Sequence, residues 1–120
     1  PTLTSPADTT AGIADRARAY LHTNCAQCHR PGGPTPSTMD LRYNTLFSNT
    51  NTCNTVPLEG DLGIANARLI APGDAARSLI INRAGRRDSH GMPPLGSNLI
   101  DTVGISLLAT WINGLANCSP

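Results

Sequence analysis

Five consecutive residues, Cys25-Ala26-Gln27-Cys28-His29, place two thiols and an imidazole within about one helical turn. Cys-x-x-Cys-His is the attachment signature of a c-type haem. The two thiols add across the two vinyl groups of the macrocycle, so they must stand about a turn apart. The adjacent histidine then points a ring nitrogen at the iron from the same face. Two other chemistries use a Cys-x-x-Cys pair. A zinc site needs a second ligand pair, and Cys53 and Cys118 stand too far apart in the chain to form a knuckle. A thiol–disulfide pair expects a preceding strand in a βαβ pattern, whereas the residues before Cys25 read as helix. The expectation is one covalent haem c, held by Cys25 and Cys28, with His29 as an axial ligand.

The other side of the iron has four candidates: Met92, Met39, His90 and His22. Met92 is preferred. It stands in Gly91-Met92-Pro93-Pro94, where the prolines limit the conformations that compete with ligation. It also lies far enough after His29 for the chain to wrap the ring edge. A thioether favours ferrous iron and raises the potential, which suits an electron carrier. His90 reads as a solvent-side loop residue or a hydrogen-bond partner of a propionate, and His22 as exposed. Arg83, Arg86 and Arg87 cluster before the methionine loop, and a guanidinium grips a carboxylate in two places. One of them is a candidate for holding a propionate; a solvated charged face accounts for them equally well. His29 also needs an acceptor for its second nitrogen, and a backbone carbonyl of the loop from Arg30 to Pro36 is the natural one.

Cys53 and Cys118 remain. Haem c is normally attached outside the cytoplasm, where thiols oxidise, so an even leftover pair reads as a disulfide. It would close a loop of about 65 residues, worth about 4 kcal/mol by chain entropy. Two free thiols or an intermolecular bridge are the alternatives.

The elements that must position these groups are helical. Ile13, Ala17, Tyr20 and Leu21 share one face of a helix over 11–24 that leads directly into Cys25. Asp15 and Arg18 stand at i, i+3 for an ion pair on its outside. Residues 30–37, Arg-Pro-Gly-Gly-Pro-Thr-Pro-Ser, exclude regular structure. The segment 39–69 reads as loop around an Asn/Thr-rich stretch, 48–55, with one short helix near 41–47. Asp74 is an N-cap after Pro72-Gly73, opening a helix over 75–84 that stops at Gly85. A second Pro/Gly loop fills 86–97. The last helix covers 99–113, with Ile100, Val103, Leu107, Leu108, Trp111 and Leu115 as its apolar stripe and Gly114 closing it. Gly104, on or beside that stripe, would let another helix approach closely. No repeat and no strand pattern occurs, so the fold class is all-α with long Pro/Gly-rich loops. Residues 1–10 read as a linker or processed terminus and 11–120 as one domain. A chain that starts at Pro1 without methionine reads as processed or excised from something longer.

Composition agrees with a bound macrocycle. The 120 residues include only four aromatics, Tyr20, Tyr43, Phe47 and Trp111. That is a thin core, and a haem would supply the missing flat apolar body. The nine cations are all arginine, and the net charge is +1. No basic stripe points to nucleic acid, and no apolar run is long enough to cross a membrane.

The helix ending in Cys25-Ala26-Gln27-Cys28-His29, then Met92-Pro93-Pro94, then a helix carrying Leu107-Leu108 and Trp111-Ile112, resembles the class I cytochrome c family. More narrowly, Pro72-Gly73-Asp74 through Ser78-Leu79, followed by Met92-Pro93-Pro94 and Trp111-Ile112, is similar to single-haem domains attached to larger secreted bacterial proteins, including quinoprotein sugar dehydrogenases. The resemblance spans about residues 11–115. It implies the cytochrome c fold, three main helices around one haem with His/Met ligation, and electron transfer. It also implies that the first and last helices cross near glycine and aromatic residues, here Gly12 or Gly104 with Tyr20 and Trp111. The Asn/Thr-rich insert around Cys53 and the extra cysteine pair depart from the pattern.

The function expected is a one-electron carrier, not an enzyme, periplasmic or secreted and monomeric. Its donor would be a redox protein or fused dehydrogenase domain, and its acceptor a further cytochrome or terminal oxidase. Docking would use a small patch at the haem edge, with weak long-range steering. The competing readings are a peroxidase-like enzyme or sensor with an open sixth position, with a distal group such as His90, and a haem domain that only anchors a larger enzyme.

Overall fold

A computed structural model of the chain describes residues 5–26, 28–33, 38–57, 60–85 and 101–119. Three helices occur among them: α1, Ile13–Cys25; α2, Leu79–Ala84; and α3, Thr102–Asn113. Two 3-10 turns, Phe47–Asn49 and Ala75–Arg77, interrupt the loops. No strand forms among the described residues, which hold only two isolated parallel bridges, Cys53 to Ile70 and Arg68 to Ser78. No described helix is long and apolar enough to cross a membrane.

Helix α1 begins after Gly12, whose backbone is extended (φ −63°, ψ 148°), two residues later than the periodicity places it. Asp15 in the first turn favours the positive end of the helix dipole. Ala17, Ala19 and Leu21 are buried, whereas Ile13 is 38% exposed and takes no part in the core face expected of it. Arg18 makes no ion pair with Asp15 either. Its Nη2 donates to the carbonyls of Arg42 and Thr45 instead. Arg16 Nε donates to Pro6 O at 2.9 Å and so ties the preceding segment back to the helix.

Helix α3 opens at Asp101, whose side chain accepts from the Gly104 N–H at 2.9 Å and so fills the N-cap role. Leu108, Trp111 and Ile112 are buried with Gly104, while Val103 is 80% exposed. The buried stripe is therefore rotated by about one residue from the one read off the hydropathy pattern. The cause lies at Gly104. A methyl built there would stand 2.2 Å from Tyr20 Cε2, so α3 turns its bare backbone, not Val103, towards α1. Gly12, the other expected crossing glycine, has nothing near it. Tyr20 also donates its hydroxyl to Asp101 Oδ2 at 2.8 Å. Trp111 meets Phe47 edge to face, with ring centroids 5.2 Å apart, a geometry worth about 1 kcal/mol beyond area burial.

The helix expected over 75–84 divides in two. Asp74 caps as predicted, accepting from Arg77 N–H at 3.3 Å and Arg77 Nε at 2.8 Å. Ser78 then leaves helical conformation (ψ 114°). Its neighbours pair with Arg68 on both sides: Arg68 N–H reaches Arg77 O, and Leu79 N–H reaches Arg68 O. Its hydroxyl accepts from Ala71 N–H at 2.8 Å and donates to Asp74 O at 2.9 Å. Those bonds replace the intrahelical ones given up. The helix expected near 41–47 is instead a turn, closed by Thr45 N–H to Arg42 O, ahead of the 3-10 turn at Phe47.

Candidate functional site

The last turn of α1 runs on into the cysteine motif. Cys25 O accepts from Cys28 N–H at 3.2 Å and from His29 N–H at 2.9 Å. One carbonyl therefore gathers the three chemically competent residues onto one tight turn at the end of a helix. Neither cysteine is part of a disulfide, and both are half-buried. Burial, with Cys28 beside it, pushes the Cys25 thiol up to about 11.

His29 is half-buried, and burial holds its imidazole below the ordinary pKa and favours the neutral form, the form that binds metal. Its Nδ1 is buried with no partner among the described residues. The described part of the loop expected to supply an acceptor, 30–33, supplies none. That loop turns back at once: Gly32 is left-handed (φ +76°), and a methyl on Gly33 would stand 2.4 Å from Cys28 O. The Gly-Gly pair was legible only as a helix breaker. Its second glycine is in fact the point where backbone meets backbone beneath the motif.

A second feature was not read from the sequence. Residues 40–45 form a strap across the end of α1. Leu41 N–H donates to His29 O at 2.8 Å, and Asp40 N–H to Thr50 O at 2.9 Å. The Asp40 carboxylate accepts from Arg42 Nε, Arg42 Nη2 and Thr45 Oγ1, all within 2.9 Å, and from Arg42 N–H at 3.2 Å. The Arg42 bonds, foremost among these contacts, hold the Asp40 carboxyl down to about 2. From α1, Arg18 grips the strap at Arg42 O and Thr45 O. His22 Nδ1 accepts Tyr43 N–H at 3.0 Å, so His22 is half-buried and engaged rather than exposed. The signal available in the sequence was the Asp40-x-Arg42 spacing with Thr45 beyond it, which fits a side-chain-braced turn.

Cys53 and Cys118 are joined by a disulfide with Cα atoms 5.7 Å apart. It clips the tail beyond α3 to a mesh in which Ile70 N–H reaches Thr52 O, Leu69 N–H reaches Thr55 O, and Asn54 N–H reaches Ile70 O. Met39 and Arg83 are half-buried. Met92, His90, Arg86 and Arg87 lie outside the described residues. No three His, Cys, Asp or Glu side chains gather into a chelating cluster among the described residues.

No family model matches the chain, and neither a curated protein nor a solved structure matches it.

Proposed function

We propose that the chain is a one-electron carrier with a single haem c attached through Cys25 and Cys28 and ligated by His29 and Met92, in a cytochrome c fold. The observation that carries this reading is the turn on Cys25 O, which sets two thiols outside any disulfide and a half-buried imidazole that favours its neutral form at i, i+3 and i+4. The donor set fits the group: two thiols outside any disulfide that can become thioethers, and a histidine whose orphaned Nδ1 is the nitrogen left over once Nε2 is given to iron. The α1–α3 crossing on Tyr20 and Gly104 supports the fold that the resemblance implies.

Bound there, the haem supplies a reversible one-electron couple. The chain does the rest. Cys25 and Cys28 fix the ring to the end of α1, the strap holds the His29 backbone, and the buried faces of α1 and α3 exclude water. The Cys53–Cys118 disulfide supports a periplasmic or secreted location. A redox protein or fused dehydrogenase domain is then the donor, and a further cytochrome or terminal oxidase the acceptor.

The test is expression with a cytochrome c maturation system. The intact mass should exceed that of the polypeptide by one haem that survives acid–organic extraction. The oxidised spectrum should be six-coordinate and low-spin, with a weak Met–Fe(III) band in the red that Met92→Ala abolishes. Haem that extracts freely refutes attachment. Loss of the band in Met39→Ala instead moves the ligand. A high-spin wild-type spectrum with rapid peroxide turnover moves the protein to the open-site class.

A further inference from the structure

The strap over 40–45 reaches the candidate site through the bond from Leu41 N–H to His29 O at 2.8 Å. Two residues further on, Tyr43 N–H donates to His22 Nδ1 at 3.0 Å. His22 lies on α1, so the helix that delivers the motif also holds the segment that reaches back to it. We propose that His22 is a positioning residue for His29, acting through the strap; this rests on the reading of His29 as an axial ligand.

Three observations carry it. First, the strap is stiff between its two contacts. Asp40 binds Arg42 through Nε and Nη2 at 2.9 and 2.8 Å and through the backbone N–H, and binds Thr45 Oγ1 at 2.9 Å. A displacement at Tyr43 is therefore passed to Leu41 and not absorbed between them. Secondly, the Leu41 side chain is 2% exposed within the core, so it cannot follow a displaced strap without losing packing. Thirdly, the described loop that follows His29 offers its imidazole no acceptor. That leaves the main-chain bond at His29 O as the described restraint on this residue after the turn itself.

The bond also fixes the state of His22. A backbone amide can only donate, so Nδ1 must be the bare nitrogen and Nε2 must carry the proton. This makes the role specific in geometry. An asparagine Oδ1 sits the same number of bonds from the backbone as Nδ1 and can accept in its place. A glutamine Oε1 sits one bond too far, although its amide has the same chemistry.

The experiment uses the oxidised holoprotein and the variants His22→Asn, His22→Gln and His22→Ala. Amide hydrogen exchange is followed at Tyr43 and Leu41, and the paramagnetically shifted ring resonances of His29 are followed by NMR. His22→Ala and His22→Gln should speed exchange at both amides by about fivefold, the scale of one ordinary hydrogen bond, and should move the His29 resonances. His22→Asn should return both to wild-type values. If the alanine variant fails to mature, the Asn–Gln pair still decides, because the two differ mainly in reach. Faster exchange at Tyr43 alone, with Leu41 and the His29 resonances unmoved, overturns the inference and leaves His22 a local brace. Failure of Asn to differ from Gln overturns it as well. A wild-type protein with no iron-shifted resonances from His29 instead overturns the ligand assignment, and the inference with it.

Discussion

Replacing Gly104 with alanine puts a methyl carbon 2.2 Å from Tyr20 Cε2, 2.3 Å from Cζ and 2.5 Å from the hydroxyl oxygen. Carbon atoms rest about 3.5–4.0 Å apart, so the ring must retreat by more than about 1 Å or the helices must separate. Overpacking of this kind costs about 1–3 kcal/mol. The ring cannot retreat and keep its 2.8 Å bond to Asp101; an exposed bond of that sort contributes about 0.5–1.5 kcal/mol. Against these, alanine in a helix gains about 1 kcal/mol over glycine. The net is a loss of about 2 kcal/mol, or about 10 °C in Tm for a domain of this size. The assay is thermal and guanidinium unfolding of the holoprotein, in a double-mutant cycle with Tyr20→Leu. Leucine lacks all three contacting atoms. In that background Gly104→Ala should cost nothing and can stabilise, because only the propensity gain remains. An equal loss in both backgrounds would refute the account, because the cost would then not come from Tyr20.

Three further outcomes are expected. Gly33→Ala drives a methyl to 2.4 Å from Cys28 O, where both sides are backbone, so it should destabilise by about 2–3 kcal/mol and lower the haem-to-protein ratio. Gly32→Ala has open space and only a φ of +76° against it, and should cost about 1 kcal/mol; the reverse order would contradict the geometry. The unfolded, unreduced holoprotein should show no titratable thiol, and two per chain would refute the disulfide. Replacing Cys53 and Cys118 by serine should lower stability by up to about 4 kcal/mol in denaturant titrations. The Asp40 carboxyl is held down to about 2 in the folded state, chiefly by Arg42, against the ordinary 3.8. Its contribution is therefore complete above about pH 4 and is lost as pH falls towards 2. Unfolding curves across that window should lose stability in the wild type and lose less in Asp40→Asn.

How far the sequence could be read depended on the range of each interaction. The cysteine turn, the helix leading into it and the Asp74 cap are set by residues within four positions of one another, and these were legible. Ser78 was not. Its local pattern is helical, but the residues on either side of it pair with Arg68, ten residues from Ser78, and that pairing outweighs propensity. The buried face of α3 departs from its hydropathy stripe for a related reason. Val103 is the more hydrophobic residue, yet 80% of it is exposed, because the facing surface is a tyrosine ring that leaves room only for Gly104. Hydropathy ranks residues by what they gain from burial and says nothing of the space they must fit. The strap leaves little trace in the sequence because its bonds are mostly to backbone groups, at Arg42 O, Thr45 O, Tyr43 N–H and His29 O, which every residue carries alike.

The same bonds explain how so sparse a core can hold a rigid site. Helix α1 is fixed near its middle by Tyr20, which packs on Gly104 and bonds Asp101. It is fixed on another side by Arg18 and His22, which flank Tyr20 in the chain and grip the strap. Tyr20 and His22 are two residues apart, so their side chains leave the helix in different directions. Together they oppose both translation of α1 and rotation about its axis. A helix held by apolar contact alone on one face would resist separation better than it resists rolling. Rolling is the motion that would carry Cys25 away from its place, since the cysteine is the last residue of that helix. The polar grip of Arg18 and His22 therefore adds to apolar packing in a chain with only four aromatic side chains. Its cost is visible in Arg18 Nε, which is buried without a partner among the described residues.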